Sequence, residues 1–457
     1  MNYVFQVRHW NIDFFLFLEK NLLSNHKEVN IVWFTMEKEA FTQLNMSHKN
    51  VFYLPAEFTK HRIQDKTKLL DFDHWMYETY GYGVEFIYEI ERFKPKAAEK
   101  LNFINAHIDI LHDLIPEKSK MVALSCEHFV YLISTYINKM KGGINYFIQP
   151  CGFPLNTQVI MKNPWNLFYF RTEPMDETPL DAYIASLTQS PMESIHYMKP
   201  QKMITLHASI LQRIKKTYRP KLTYNMFSYL EAKPRNIIPG RFMQKKHIPY
   251  KFDYIQEKDL ASLKEKGRIF YFPLQFEPEM TILAYSPWFK SQLEVIRLIG
   301  QSLKQGDILL LKENPKMIGK RGKHYYAEIS QYNQVLWADP GLNSRNIIRN
   351  SFKVISITGT ASIEAACLGI NSMIFGYPPF KKLLIEEPVS DQKICDFIQT
   401  LYKAYTSEEI IRQVKKEWPE FSKSVFFGNF IPQYINDKFT ISNSAILAGN
   451  FLKEVFK

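Results

Sequence analysis

The sequence predicts an α/β fold of two doubly wound domains facing a cleft. Three observations carry that prediction. Strand-like apolar runs alternate with helix-periodic segments through the first third of the chain, and the same alternation resumes from residue 268 to residue 376. Between the two series, "EAKPRNIIPGRFMQKKHIPYKFD" (231–253) concentrates prolines and basic residues without any periodicity, as a connection between domains does.

In the first series the runs are "NYVFQV", a helix from about Ile12, "VNIVWF", "NVFYLP", a long helical stretch near 84–115, "KMVALS", a helix from about Glu127, and "INYFIQP". Residues 151–230 open with an aromatic, loop-rich segment and continue in a helical pattern to about Tyr229. The second series runs "RIFYFPL", the helical "WFKSQLEVIRLIGQSLKQ", "DILLLKENP", a helix over 322–331, "QVLWADP", the short helix "SRNIIRNS", "FKVISIT", "ASIEAACLG" and "NSMIFG". Helices near 390–405, 407–417 and 441–457 complete the chain. The expected organisation is an acceptor-side domain over 1–235, a linker over 236–253, a nucleotide-binding domain over 254–425, and a helical tail over 426–457 that packs back on the first domain. Ligands of open α/β sheets bind beyond the carboxyl ends of the strands, so the cleft between two such edges is where a site belongs.

Composition narrows the classes. With 457 residues, 46% of them hydrophobic and 15% aromatic, the chain can bury two cores and is not of disordered composition. The balance of 58 basic against 46 acidic residues leaves a net charge of +12, which favours phosphate, nucleic acid or an acidic lipid surface and does not choose among them. Cys126, Cys151, Cys367 and Cys395 are widely spaced, show no CxxC pair and mostly sit in apolar surroundings, which fits buried thiols in a reducing cytosol and argues against zinc. The first twenty residues carry Arg8 and acidic residues within their apolar stretch, so they are expected to form a strand and a helix rather than a secretion signal. No apolar run reaches the roughly 18 residues that a membrane span requires.

The strongest local signal is "ITGTASIEAACLGINSMIFG" (357–376). After the strand "FKVISI", the small residues Thr358, Gly359, Thr360, Ala361 and Ser362 lead into a helix whose apolar positions Ile363, Ala366, Cys367 and Ile370 follow helical spacing. Unpaired backbone N–H groups in a first helical turn favour an anion, and three hydroxyls add donors. Thr360 or Ser362 can equally serve only as a helix cap. Glu364 lies four residues after Thr360, one too far for a capping box on that residue, and its carboxylate can accept hydrogen bonds from ribose hydroxyls or simply complement the helix dipole.

Three further stretches end at strand edges. In "LLLKENPKMIGKRGKHYY" the basic residues Lys312, Lys316, Lys320, Arg321 and Lys323 face the single acid Glu313, as in a phosphate clamp or a solvated loop. In "FYFPLQFEPEMT", Glu277 and Glu279 form a pair suited either to acid–base work or to a charged rim. In "ALSCEHFVYLI", Glu127 and His128 open a helix at the edge of the first sheet, where either can act as a base or hold an acceptor hydroxyl, and Arg8 and His9 occupy a comparable edge. The chain has no GxxxxGK[ST] loop, no GxGxxG after a strand, no HExxH and no GxSxG, which removes the usual footing of kinase, dehydrogenase, zinc-protease and serine-hydrolase readings.

Taken in order over residues 268–380, "YFPLQFEPE", "KENP", "TGTASIEAACLG" and "NSMIFG" resemble the capsule polysaccharide biosynthesis family, which includes bacterial Kdo transferases. About a quarter of the chain carries the resemblance. It implies a GT-B glycosyltransferase built of two Rossmann-like domains, the second holding a nucleotide sugar and the first presenting the acceptor, with no metal and no cofactor beyond the donor substrate. Family members that use CMP-Kdo have a His-Pro pair after the "KE"; here the pair is Asn314-Pro315, which can donate a hydrogen bond but carries no titrating proton. By resemblance, the "TGTAS" turn is the donor-binding turn and Glu364 its adjacent acid.

The expected donor site is therefore Lys312, Asn314, Arg321, Thr358, Gly359, Thr360, Ser362 and Glu364, with Glu127 and Glu279 as the catalytic candidates and no metal ligands. The expected activity is transfer of Kdo or a related acidic sugar from its nucleotide to a capsular polysaccharide or glycolipid acceptor. It is expected in the cytoplasm, with peripheral contact to an anionic inner membrane and no nucleic-acid partner. A nucleotide-sugar epimerase of the same architecture and a non-catalytic basic protein binding polysaccharide or nucleic acid are the alternatives.

Overall fold

A computed structural model describes the chain apart from residues 27, 59–66, 81–82, 85–96, 125–128, 155, 164–166, 189–251, 278–281, 283–284, 287–288, 290, 316, 319, 386–388, 390–395, 429–436 and 457. Glu127, His128, Glu279, Lys316, Cys126, Cys395 and nearly all of the 236–253 linker lie outside the described residues.

The first sheet holds β1 (Asn2–Gln6), β2 (Asn30–Thr35), β3 (Val51–Tyr53), β4 (Lys120–Leu124), β5 (Ile144–Pro150), β6 (Thr157–Asn163) and β7 (Leu167–Phe168). The second holds β8 (Ile269–Pro273), β9 (Ile308–Lys312), β10 (Val335–Ala338), β11 (Lys353–Ser356) and β12 (Asn371–Ile374). The second sheet is parallel throughout, in the order β10-β9-β8-β11-β12, and the core of the first repeats that order as β3-β2-β1-β4-β5. In each domain the chain winds outward from its first strand, returns, and winds out on the other side. The switch points are therefore β1/β4 and β8/β11. The fold is two Rossmann-like doubly wound domains.

Parallel sheets covered on both faces need strands that are apolar on both faces, and β9 (ILLLK) is buried at every position. Alternate residues sort to opposite cores. Phe270, Phe272, Leu309, Leu311 and Ile355 pack on Val295, Ile296 and Ile299 of the helix Gln292–Ser302, while Ile269, Tyr271, Ile308, Leu310 and Val354 pack on Leu260, Leu263, Ile347 and Ile348. In the first domain, Tyr3, Phe5, Trp33 and Tyr146 meet the helix Ile12–Asn25 and the carboxyl-terminal helix Asp437–Val455, with Phe14 and Phe451 ring to ring at 6.4 Å.

The other face of the first sheet continues into the second domain. One apolar cluster runs from Val4, Phe34, Ala123 and Phe147 to Ile363 and Cys367 of the helix Ala361–Cys367 and to Val414 and Trp418 of the helix Ser407–Lys423. Thr406 and Glu409 start that last helix with a capping box. The chain then crosses back. A strand, β13 (Val425–Phe427), pairs antiparallel with β6, so the tail supplies a strand as well as the helix packed on the first domain. Among the described residues no helix is long and apolar enough to cross a membrane, and no three His, Cys, Asp or Glu side chains cluster for a metal. Cys151 and Cys367 are free and buried, and burial pushes the Cys151 thiol up to about 12.

Candidate active site

Two side-chain clusters sit at the carboxyl edge of the second sheet. The first gathers around Lys312, the last residue of β9. It is 6% exposed, and its Nζ donates to Ser344 Oγ at 3.0 Å; Tyr271 donates its hydroxyl to the same oxygen at 3.2 Å. Ser344 opens the helix Ser344–Asn350, capped by Asn343, whose Oδ1 accepts from the N–H of Arg345 at 2.9 Å. Burial pulls the Lys312 ammonium down to about 8, against the opposing pull of Asp339 and Glu364. Glu364 reaches this cluster from the next helix. Burial raises its carboxyl above the ordinary value, opposed by a hydrogen bond from Thr360 (3.1 Å) and by the charges of Arg345 and Lys312. A cation and a carboxylate of shifted pKa, on the ends of adjoining elements beside the β8/β11 switch, form a cluster of the kind that marks binding and catalytic sites.

The second cluster holds Arg321. Its Nε donates to Glu313 Oε2 (3.0 Å), its Nη1 to Glu277 Oε2 (2.6 Å) and its Nη2 to the carbonyl of Gln275 (2.7 Å). Glu313 is 1% exposed and also accepts the Tyr326 hydroxyl (2.8 Å) and the N–H of Asn314 (2.7 Å). Gln292 donates to Glu277 Oε2 and to the Gln275 carbonyl, both at 3.1 Å. Gln275 carries the order onward: its Nε2 donates to Thr358 Oγ1 (3.0 Å), and its Oε1 accepts the N–H of Thr358 (3.1 Å). A chain of side chains thus ties the ends of β8 and β9 to the turn after β11.

Within that turn the hydroxyls have defined duties. Thr360 makes no side-chain cap and donates to Glu364 instead; Ser362 is fully buried, its hydroxyl 2.6 Å from that of Ser356; Thr358 accepts from Gln275. Lys312, Thr360 and Glu364 are therefore brought together. Arg321 and the backbone of Asn314 lie in the neighbouring ion-pair cluster, Ser362 braces the turn from inside, and Gly359 stands between. Ser344, Arg345, Tyr271, Asp339 and Gln275 are additions that sequence reading missed. The available signal was "ADPGLNSRNI", one more strand end followed by a capped helix at the same sheet edge.

The first domain closes on this edge. Gly152, at φ +73° in the loop after β5, lies so near Thr360 that an added Cβ would stand 3.0 Å from Thr360 Cγ2. Arg345 Nη1 donates to the carbonyl of Ser186 (2.9 Å) and Arg349 Nη2 to that of Leu187 (2.6 Å), so two arginines of the second domain cap the helix Thr178–Thr188 of the first. Both carboxyl edges thus face one crevice.

No protein-family model matches the chain, and no curated protein matches it. Among solved structures it is similar to Thermosulfurimonas dismutans KpsC, beta Kdo 2,7 transferase, at 12% identity and a TM-score of 0.34, over 79% of this chain and 95% of that one. It is also similar to an alpha,alpha-trehalose-phosphate synthase (UDP-forming) from Burkholderia vietnamiensis, at 8% identity and a TM-score of 0.34, over 97% and 99% of the two chains. A third is UDP-GlcNAc 2-epimerase from Neisseria meningitidis bound to UDP-GlcNAc, at 12% identity and a TM-score of 0.24, over 99% of each. These are likenesses of chain course, and what the site can do follows from its own side chains.

Proposed function

We propose that the chain is a glycosyltransferase that moves a sugar, Kdo or a related acidic sugar, from a nucleotide donor to a surface polysaccharide or glycolipid acceptor. The observation that carries this reading is the placement of buried Lys312, bonded to Ser344, and of Glu364, bonded to Thr360, near enough beside the β8/β11 switch for their charges to act on each other, with Thr360 against Gly152 of the opposite domain. A nucleotide sugar needs a cation for its phosphate and an acceptor of hydrogen bonds for its ribose, and these residues provide both. As the glycosidic bond breaks, negative charge grows on the leaving phosphate. A preplaced ammonium in a water-poor site stabilises that charge more in the transition state than in the ground state. Arg321, neutralised by Glu313 and Glu277, contributes by holding the 312–315 segment and the Thr358 turn in place rather than by meeting phosphate.

In this reading no metal is needed, and the acid–base role falls to Glu127 or Glu279. The net charge of +12 suits peripheral contact with an anionic inner leaflet from the cytoplasm. Thermal stabilisation by CMP, UDP, GDP and dTDP tests the donor site, because a ligand at 100 times its dissociation constant adds ~2.7 kcal/mol to the native state. One nucleotide is expected to shift the transition. No shift with any of the four would overturn the reading, and turnover of a nucleotide sugar without acceptor would replace it with epimerisation.

A further inference from the structure

At the carboxyl edge of the first sheet, a cavity of about 20 Å³ is lined by Gln6, the last residue of β1, and by Val7 and Arg8 beyond it, by Thr35 at the end of β2, and by Val130 and Tyr131 of the helix Phe129–Met140. That volume admits one oxygen atom and not a sugar ring. Gln6, 2% exposed, donates its Nε2 to the thioether of Met121 at 3.2 Å, but its Oε1 is buried with no hydrogen-bond partner. A buried carbonyl left unpaired is costly, and it calls for a donor. At the mouth, Arg8 pairs through Nε with Glu37 at 3.3 Å, and its terminal amino groups have no acceptor among the described residues. Glu37 is in turn shared with the ring of His9 (2.6 Å) and with the His9 N–H (2.8 Å), so its charge is already met from several sides.

We infer that this cavity anchors the acceptor: one sugar hydroxyl enters and donates to Gln6 Oε1, while a carboxylate on the same residue pairs with Arg8 outside. The occupant is thus an acidic sugar, and naming it an acceptor rests on the glycosyl-transfer reading. The position suits that role. β1 lies two strands from β5, whose end meets Thr360, a separation of roughly 10 Å at the usual strand spacing. A sugar anchored at Gln6 therefore extends toward the donor edge.

Saturation-transfer NMR on the full chain, with methyl β-D-glucuronide as probe and methyl β-D-glucoside as neutral control, tests the inference. The glucuronide is expected to receive saturation and the glucoside not. The response should vanish in Gln6→Leu, which keeps the side-chain volume and removes the unpaired carbonyl, and in Arg8→Gln. It should survive Glu364→Gln, which lies in the donor cluster, so failure of the nucleotide site and failure of this subsite read out separately. Circular dichroism melting of both first-domain variants confirms folding. A glucuronide response unchanged in folded Gln6→Leu and Arg8→Gln, an equal response to both glycosides, or no response to the glucuronide would overturn it.

Discussion

Gly152 and Thr360 touch across the two domains, the first in the left-handed backbone region at φ +73° and the second at the foot of the helix Ala361–Cys367. Neither residue tolerates bulk there: a Cβ on Gly152 must both adopt an unfavourable φ and displace the Thr360 methyl. The contact explains why small residues follow both β5 and β11, and it fixes the distance between the two faces of the crevice.

Gly152→Ala is expected to destabilise the protein by ~1–2 kcal/mol and to weaken nucleotide binding, since the backbone strain and the clash add. Combining it with Thr360→Ser, which removes the methyl and keeps the hydroxyl for Glu364, should recover the steric part only. A double-mutant cycle by chemical denaturation measures the coupling. Strict additivity of the two changes would show that the contact is absent in solution.

Arg321→Ala leaves Glu313, at 1% exposure, as a buried carboxylate without its cation, and breaking such a pair costs about 3–5 kcal/mol. The expected phenotype is a large fall in thermal stability. Adding Glu313→Gln should restore much of it, because the uncompensated charge goes while Tyr326 keeps a hydrogen-bond partner. A stable Arg321→Ala protein that only loses nucleotide affinity would instead place the guanidinium on the ligand.

Much of this was legible in the sequence, and the reason is periodicity. Continuous apolar runs such as "FKVISI" and "DILLL" can be satisfied only in a sheet covered on both faces, and their alternation with helical patterns fixes the class. The turn at Thr358–Ser362 was legible because strand, small residues and helix adjoin in the chain. What was hidden depends on contacts far apart in sequence. Arg321 stands in a basic run that suggests phosphate, yet its partners Glu277 and Gln275 lie 44 and 46 residues away. Thr360 reads as a cap in the chain, yet its hydroxyl donates to Glu364, and the Lys312–Ser344 bond spans 32 residues that no spacing rule connects. Strand order likewise follows from closure of the sheet, so the repeat of one topology in both domains emerges only in three dimensions.

Lys312 gives the site a pH signature. Burial lowers its pKa from 10.5 to about 8, so the native state disfavours the charged form that the unfolded chain keeps. The unfolded chain binds more protons between about pH 8 and 10.5, and the contribution of this group to stability rises across that window and is lost as pH falls through 8. In the proposed function phosphate binding needs the ammonium, so nucleotide affinity should move oppositely and decline above about pH 8. Isothermal titration from pH 7 to 9.5 checks this, with Lys312→Met expected to bind weakly and without pH dependence. An unchanged profile in that variant would assign the titration to another group.

Glu364 separates a ribose contact from a helix-dipole role. Burial raises its carboxyl, so keeping it ionised costs stability that Glu364→Gln removes, while the amide oxygen still accepts from Thr360. The variant should melt at the same temperature or higher. Its nucleotide affinity should fall about 10- to 100-fold, the worth of a charge-assisted hydrogen bond. The decisive comparison is between a ribonucleotide and its 2′,3′-dideoxy analogue. On the proposed donor-site reading, in which the carboxylate reads the hydroxyls, the wild type is expected to prefer the ribonucleotide and the variant to bind both alike. If both proteins discriminate equally, Glu364 serves the helix and the ribose is held elsewhere.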